Sequence, residues 1–308
     1  MKNYYRIMLG KKSVYANEAH KGNFIGAGWL EDINLTNKLF DNWREFNKKF
    51  IPIYLKKHSD KTKVSAGLAC GMLYTITKGI LVDDVVLCPD GQGNYLIGEV
   101  TGGYEYCKGT ELPHRRSVRW HVKTISRIEM SESLRNSAGS IGTVSNISKY
   151  AEEIESLISG SRPATIVSTD ETIEDPSAFA LEKHLEDFLV ENWSHTELGK
   201  HYNIYEEDGE KIGKQYPADS DYIDILAISK NKKELLVVEL KKGRASYVVV
   251  GQIQNYMGYV KTELAEKDQK VRGIIIALED DIRLQRALSV ASNIDFYTYK
   301  ISFKLEKK

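Results

Sequence analysis

The fold of this chain is decided by residues 221–243, DYIDILAISKNKKELLVVELKKG. Two apolar runs rich in Ile, Leu and Val flank the polar segment SKNKK at 229–233, the pattern of two strands joined by a short turn. Around this hairpin the sequence predicts helices over about 178–192, 245–264 and 281–290, and strands over 222–228, 234–241, 271–278 and 294–299. The order predicts an α/β (α+β overall) domain with a mixed sheet flanked by helices.

Charged side chains mark one end of the predicted hairpin. A symmetric fold about residues 231–232 pairs Asp224 with Glu239, and Lys241 shares a strand face with Glu239 because side chains alternate with a period of two. Such a charge cluster beside apolar strands is costly without a partner. Mg²⁺, for which Mn²⁺ would substitute, prefers carboxylate and water oxygens. The spacing therefore predicts that Asp224 and Glu239 bind the metal and that Lys241 orients or deprotonates water, which is phosphodiester hydrolysis.

The residues leave two alternatives open. Asp221 could be the ligand instead of Asp224, and a Glu-x-Lys pair is often no more than the solvated end of a strand.

Asp224 followed by Glu239-Leu240-Lys241 resembles the PD-(D/E)xK nuclease motif, without the proline of the motif name. The resemblance covers about residues 178–300. The run GRASYVVVGQIQNYMGYV at 243–260 is similar to the mismatch-endonuclease branch that includes the archaeal NucS proteins. The family implies a restriction-endonuclease-like fold, DNA cleavage and a divalent metal.

Further site residues are implied by the same resemblance. The spacing of the first helix resembles Mrr-like nuclease domains, which favours Glu182 over Glu186 as an assisting glutamate. Gln252 and Tyr256 resemble the QxxxY motif of some members. Arg244, which we expect at the start of the following helix, is a candidate phosphate contact.

The chain is predicted to have two domains, residues 1–158 and 178–308, joined by a Ser-, Thr- and Pro-containing linker at 159–177. Parts of the first domain, such as YYRIMLGKKSVYANEAHKGNFIGAGW at 4–29 and LPHRRSVRWHVKTISR at 112–127, resemble the N-terminal domain of Mrr-like restriction proteins. The resemblance implies a PUA/EVE-like β-barrel that binds nucleic acid and holds a modified or extruded base.

Aromatic side chains would line such a base pocket, since an extruded base is read by stacking and by hydrogen bonds to its edge. The candidates are Trp29, Tyr74, Tyr104, Tyr106 and Trp120, with polar contacts from Asn136 and Ser137. Most of these rings could equally belong to the core.

A basic stripe is predicted on the strand at 115–123. Alternation places Arg115, Arg119 and Lys123 on one face with Ser117 and His121, and the other face carries Arg116, Val118, Trp120 and Val122. The first set suits a phosphate backbone, and the alternative is an ordinary solvated face.

The amino-acid composition limits the class of protein. Of the 308 residues, 42% are hydrophobic and 28% charged, which excludes collagen-like and disordered classes. Residues 1–160 carry a net charge of +5 and residues 161–308 one of −5. Three cysteines without CxxC spacing, no apolar run long enough for a membrane and no signal peptide predict a cytoplasmic protein.

The sequence therefore predicts a Mg²⁺-dependent DNA endonuclease of the restriction type that cleaves modified double-stranded DNA in phage defence. One active site cuts one strand, so a double-strand break suggests a homodimer or sequential nicking. The alternatives are a mismatch- or structure-specific repair endonuclease and a non-catalytic nucleic-acid-binding protein on a nuclease scaffold.

Overall fold

The computed structural model describes residues 2–139, 142–160, 185–207, 210–219 and 221–299. The chain divides into two compact units, Met1–Glu171 and Thr172–Lys308. Most of the predicted linker and the predicted Glu182 lie outside the described residues. No helix in the described ranges is long and apolar enough to span a membrane.

The N-terminal unit is built on a six-stranded sheet with the order β2-β5-β4-β3-β1-β6. The pairing of β1 with β3 is parallel, and the other pairings are antiparallel. Since β2 and β6 are edges, the described residues form an open mixed sheet, and the closed barrel predicted for this unit is not found in them. The strands are β1 Tyr4–Ile7, β2 Phe24–Ala27, β3 Val85–Pro89, β4 Asn94–Tyr106, β5 His114–Ser126 and β6 Val144–Asn146.

Helices cover both faces of this sheet. Along β3, Val86 belongs to one buried cluster and Leu87 to another, as expected when successive side chains point to opposite faces. The first cluster includes residues of α1, α2 and α3, and the second includes residues of α4 and α5. The helices are α1 Ala16–Lys21, α2 Trp43–Lys57, α3 Lys63–Tyr74, α4 Glu132–Ala138 and α5 Ala151–Ser159, and a π-helical turn, Thr75–Gly79, extends α3.

A β-bulge interrupts the alternation of β5. The pairing of β4 with β5 shifts register between Leu96 and Gly98, and beyond it Val122 is fully exposed while Ile125 is buried. Between these pairs β4 advances by two residues and β5 by four, so Val122 lies in an irregular segment that does not follow the alternation of the strand. The predicted face that carries Val122 beside Val118 is therefore interrupted, and the binding of a phosphate backbone by Arg115, Arg119 and Lys123 stays a prediction.

The C-terminal unit contains a mixed sheet with the order β12-β11-β10-β9-β7, and β8 also pairs with β9. The predicted sequence of hairpin, helix, strand, helix and strand is confirmed, whereas β7 and β8 were not predicted. The strands are β7 Tyr202–Ile204, β8 Lys214–Ala218, β9 Asp221–Ser229, β10 Glu234–Leu240, β11 Lys270–Ala277 and β12 Ile294–Thr298. The helices are α6 (residues 185–191), α7 Val248–Tyr259, which a π-helical turn extends, and α8 Ile282–Val290.

The β9–β10 hairpin has the predicted register. Its observed pairs run from Leu235 opposite Ile228 to Val238 opposite Ile225. The turn is held by the Ser229 hydroxyl, which accepts hydrogen bonds from the backbone N–H groups of residues 233 and 234 at 3.1 and 2.9 Å. Continued by one pair, this register places Glu239 opposite Asp224.

Candidate active site

Asp224 is fixed in place at the end of the hairpin. The backbone N–H of Leu240 donates to its Oδ2 at 2.8 Å, and the side-chain amide of Gln215 donates to its Oδ1 at 3.1 Å. The first bond crosses from β10 to β9 and follows from the register, and the second comes from β8. Both carboxylate oxygens are therefore oriented before any ligand arrives.

Glu239 and Lys241 lie side by side, as the period of the strand predicts. Lys241 Nζ is 3.1 Å from Glu239 Oε1. Glu239 is buried, with 2% of its surface exposed, whereas the Lys241 side chain keeps 25% exposure. The lysine can therefore reach a ligand in solvent while its partner stays inside.

A third acidic side chain reaches this centre from helix α6. Glu186 is buried and accepts a hydrogen bond from the Gln215 amide, the same group that donates to Asp224. Lys214 Nζ lies 3.3 Å from Glu186 and also pairs with Asp187. Burial lowers the pKa of Lys214, but the carboxylates of Asp187 and Glu186 outweigh it, and the net pKa is raised.

Gln215 and Lys214 were missed by the sequence analysis. They lie on β8, a short strand whose sequence KQYPA includes Pro217 and lacks clear alternation. Gln215 has a φ of 50°, in the left-handed region that non-glycine residues rarely adopt. A strained residue whose side chain bridges two carboxylates is a mark of a functional site.

The predicted QxxxY pair also faces this centre. Gln252 donates to the Tyr256 hydroxyl at 3.2 Å, and Tyr256 is buried. Burial is the main cause that raises the pKa of Tyr256, and the carboxylates of Glu239 and Asp221 raise it further. The alternative ligand Asp221 therefore lies near the tyrosine, while Asp224 has the fixed position opposite Glu239.

Arg244 is not at the start of a helix, because α7 begins at Val248. It lies exposed in the preceding loop, where its Nε donates to the carbonyl of Asp280 at 3.2 Å. The predicted location is therefore wrong, and the role in phosphate contact stays a prediction.

The donor chemistry of the site fits a hard divalent cation. Carboxylate oxygens from two paired strands meet here, and Mg²⁺ takes one or two carboxylates with water completing its shell. In the described part of the chain, no group of three or more His, Cys, Asp or Glu residues is arranged to hold a metal. A site of this kind would rest on Asp224 and Glu239, as predicted, with water as the remaining ligands.

The three predicted basic contacts of β5 have partners within their own unit. Arg115 lies 3.7 Å above the ring of Phe24, and Arg119 pairs with Glu99. Lys123 donates to the carbonyl of Leu157 at 2.6 Å, at the C-terminal end of α5. A lysine in this position satisfies terminal helix carbonyls, which is a structural use of its charge.

The five predicted aromatic candidates all have contacts within their own unit. Tyr104 and Tyr106 contact the buried His114, whose Nδ1 is 2.9 Å from the Tyr104 hydroxyl. Tyr74 donates to the carbonyl of Asp41 at 2.9 Å. Trp29 and Trp120 pack against the first buried cluster of this unit, the one that includes residues of α1, α2 and α3. All five rings therefore have structural contacts.

Asn136 is separated from these rings. It lies on α4, whose Leu134 and Ala138 belong to the buried cluster on the other sheet face. The structure therefore does not bring Asn136 to the predicted aromatic pocket.

Comparisons with known proteins find similarity in both units of the chain. Residues 181–300 match the family model described as the Endonuclease NucS C-terminal domain, and residues 5–148 match a domain of unknown function (DUF8426). Over 75 residues the chain is 33% identical to Endonuclease NucS of Methanocaldococcus jannaschii, covering 24% of this chain and 27% of that protein. The chain thus spans about a quarter of the length of this curated relative.

Similar solved structures include a repair endonuclease from Pyrococcus abyssi, at 14% identity and a TM-score of 0.31, covering 69% of this chain and 66% of that one. A second is described as an EndoMS–dsDNA2 complex, at 14% identity and a TM-score of 0.32, covering 71% and 66%. Scores this low carry no argument. The similarity that bears on the site is that of residues 181–300, which contain the hairpin, to the NucS C-terminal domain.

Proposed function

We propose that this chain is a Mg²⁺-dependent DNA endonuclease whose C-terminal unit cleaves the phosphodiester backbone. The observation that carries the proposal is the hairpin end, where Asp224 is held by the Leu240 N–H and Lys241 lies 3.1 Å from Glu239. The match of residues 181–300 to an endonuclease domain supports it.

The side chains have distinct roles in this proposal. Asp224 and Glu239 would hold the metal, which when bound polarises the phosphodiester and lowers the pKa of water. Lys241, a quarter exposed, adds positive charge beside the scissile phosphate and orients the attacking water. Gln215 and Leu240 keep Asp224 in place, so little reorganisation is needed when substrate binds.

Two substrate classes suit this chemistry. The first is DNA with modified bases, cleaved in phage defence, for which the N-terminal unit would be the sensor. The second is mismatched or branched DNA in repair, which the resemblance of residues 243–260 to the mismatch-endonuclease branch implies. Double-strand cleavage by either enzyme would need a homodimer or two successive nicks.

A cleavage assay on four DNA substrates distinguishes the two substrate classes. The full chain with Mg²⁺ is compared on unmodified plasmid, cytosine-methylated plasmid, phage DNA with hydroxymethylated or glucosylated cytosine, and a duplex with one mismatch. Lys241→Ala is the control. Cutting confined to modified DNA supports the defence reading, and cutting confined to the mismatch supports repair.

The same assay tests the endonuclease itself. If wild-type protein and Lys241→Ala leave all four DNAs intact in both Mg²⁺ and Mn²⁺, the proposal fails. A non-catalytic nucleic-acid-binding protein on a nuclease scaffold then explains the chain better.

A further inference from the structure

Glu186 lies beside the predicted metal ligands, and both of its carboxylate oxygens face strand β8. The residue is buried, with 6% of its surface exposed. Its Oε2 accepts a hydrogen bond from the side-chain amide of Gln215. Its other oxygen, Oε1, lies 3.3 Å from the ammonium group of Lys214. One carboxylate of helix α6 is therefore joined to two successive residues of the strand.

Gln215 connects Glu186 to Asp224. The pairs on either side of Gln215 in the β8–β9 register place it opposite Asp224. Its amide nitrogen donates to Asp224 Oδ1 at 3.1 Å and to Glu186 Oε2. Since this nitrogen carries two hydrogens and an ionised carboxylate only accepts, one hydrogen serves each carboxylate. The amide cannot turn without losing one of these two hydrogen bonds.

Helix α6 is held against β8 on both sides of this connection. Besides Glu186, the ammonium group of Lys214 also pairs with Asp187, the next residue of the helix. Nearer the other end of the helix, Lys211 Nζ donates to the carbonyl of Val190 at 2.7 Å. Contacts at two heights fix the helix along the strand, so the Glu186 carboxylate has a defined position relative to Gln215.

Glu186 is not arranged as a third carboxylate ligand. Among the residues that the structure describes, no three or more His, Cys, Asp or Glu side chains form a group that could hold a metal, so Glu186 does not complete one with Asp224 and Glu239. The Gln215 amide lies between Glu186 and Asp224 instead. The positive charge next to Glu186 comes from Lys214, which offsets the cost of a buried carboxylate.

We propose that Glu186 is a positioning residue, which acts on Asp224 through Gln215 and is not itself a metal ligand. Lys214 balances the charge of Glu186, Glu186 orients the Gln215 amide, and the amide holds Asp224. Partners of this kind orient the side chains that bind a metal, and their loss lowers metal affinity by about 10–100-fold. The inference rests on the proposed function, since it takes Asp224 as a residue that holds Mg²⁺.

An amide and a methyl group at position 186 distinguish positioning from metal ligation. Calorimetry measures Mg²⁺ binding by the full chain without DNA for wild type, Glu186→Gln and Glu186→Ala. The glutamine carbonyl can still accept from Gln215, whereas alanine cannot. We expect the Mg²⁺ dissociation constant to stay within about threefold of wild type in Glu186→Gln and to rise by about 10–100-fold in Glu186→Ala. Equally large losses in both variants would identify Glu186 as a charged ligand and overturn the proposal.

A double variant tests the path through Gln215. If Glu186 acts only through this amide, Glu186→Ala should add less than about twofold to the dissociation constant once Gln215 is replaced by glycine, because coupled residues are not additive. Effects that multiply would overturn the proposal. Glu197→Ala, an exposed carboxylate paired with Lys200, is the control and should bind Mg²⁺ as wild type does. Circular dichroism checks the fold of each variant, and Glu186→Gln carries the test if the alanine variant does not fold.

Failure of this inference is distinguishable from failure of the proposed function. Cleavage rates are measured for the same variants, and we expect wild type and Glu186→Gln to cut faster than Glu186→Ala. Wild-type protein that binds Mg²⁺ and cuts DNA, together with equal losses in the two variants, overturns the positioning role and leaves the endonuclease in place. Wild-type protein that binds neither Mg²⁺ nor Mn²⁺ overturns both.

Discussion

Each unit of this protein buries a charged side chain against its sheet, but the two charges have different surroundings. Glu239 and Arg6 are equally buried, at 2% exposure. Glu239 lies 3.1 Å from the ammonium group of Lys241, its neighbour on the same strand face. Arg6 donates to the backbone carbonyl of Gly142, and its buried Nε has no hydrogen-bond partner.

The difference distinguishes a candidate catalytic centre from a single buried charge. Around Glu239, carboxylates and ammonium groups from three strands and a helix stand together, and an amide joins Glu186 to Asp224. Such a centre is organised by the chain itself, which is what catalysis requires. Around Arg6 the hydrogen-bond acceptor is a neutral backbone carbonyl, and among the described residues no carboxylate pairs with its guanidinium.

The largest effect is expected from Asp224→Asn. Loss of the carboxylate charge should lower the single-turnover cleavage rate on the order of 10³-fold, because the charge that would hold the metal is gone. Asp295→Asn, on β12 and paired with Arg272, is the control and should cut normally. A rate for Asp224→Asn within tenfold of wild type would show that the hairpin end is not the catalytic centre.

Gln215→Gly should lower cleavage by about 10–100-fold, as expected for a residue that orients a ligand. Glycine tolerates the φ of 50° at this position, but loss of the amide that donates to Glu186 and Asp224 should lower the free energy of unfolding by about 1–3 kcal/mol. Isothermal titration with Mg²⁺ is the second readout and should show weaker binding. Unchanged Mg²⁺ affinity together with unchanged cleavage would reduce Gln215 to a structural residue.

Replacing the two buried charges should have unequal effects on stability. Arg6→Met should change the free energy of unfolding by less than about 1 kcal/mol or increase it, because it removes a buried charge whose Nε has no hydrogen-bond partner. Glu239→Met should cost roughly 1–3 kcal/mol, because it removes the carboxylate that lies 3.1 Å from Lys241 Nζ. Urea denaturation measures both. Equal losses of unfolding free energy in the two variants would contradict the proposed difference between the surroundings of Arg6 and Glu239.

His114 is a third buried ionisable side chain, and burial favours its neutral form. Burial lowers the pKa of His114 below its ordinary value of 6.5. As the pH falls below about 6.5, the unfolded chain gains a proton that the folded protein resists, so the free energy of unfolding decreases, by at most about 1.4 kcal/mol per pH unit. His114→Gln should flatten this dependence, whereas His58→Gln should keep it. A wild-type stability that does not change from pH 7 to 5 would count against a neutral buried His114.

The hairpin and its charged end were predictable because strand periodicity and turn position fix which side chains meet. The pairing of Asp224 with Glu239 and the shared face of Lys241 follow from counting residues. The contribution of β8 was not predictable, because a five-residue strand with a proline has no clear pattern and Gln215 is brought in by tertiary contacts.

The N-terminal unit was harder to predict for a physical reason. The basic stripe on β5 assumed unbroken alternation, and the register shift between Leu96 and Gly98, where β5 has two residues more than β4, interrupts it locally. The sequence of β5 alone does not predict this bulge, because its formation depends on how β5 pairs with β4. Arg6 was likewise not singled out, because a lone arginine in a short strand reveals neither its burial nor its neighbours.

The most direct test of the account is Mg²⁺-dependent nicking of supercoiled plasmid and mismatched duplex by wild-type protein and Lys241→Met. Methionine keeps the length and much of the volume of lysine but removes its charge. The account predicts cleavage by wild type and a loss on the order of 10³-fold in the variant, with the fold retained by circular dichroism. Equal cleavage by both proteins would contradict the assignment of the Asp224–Glu239–Lys241 centre.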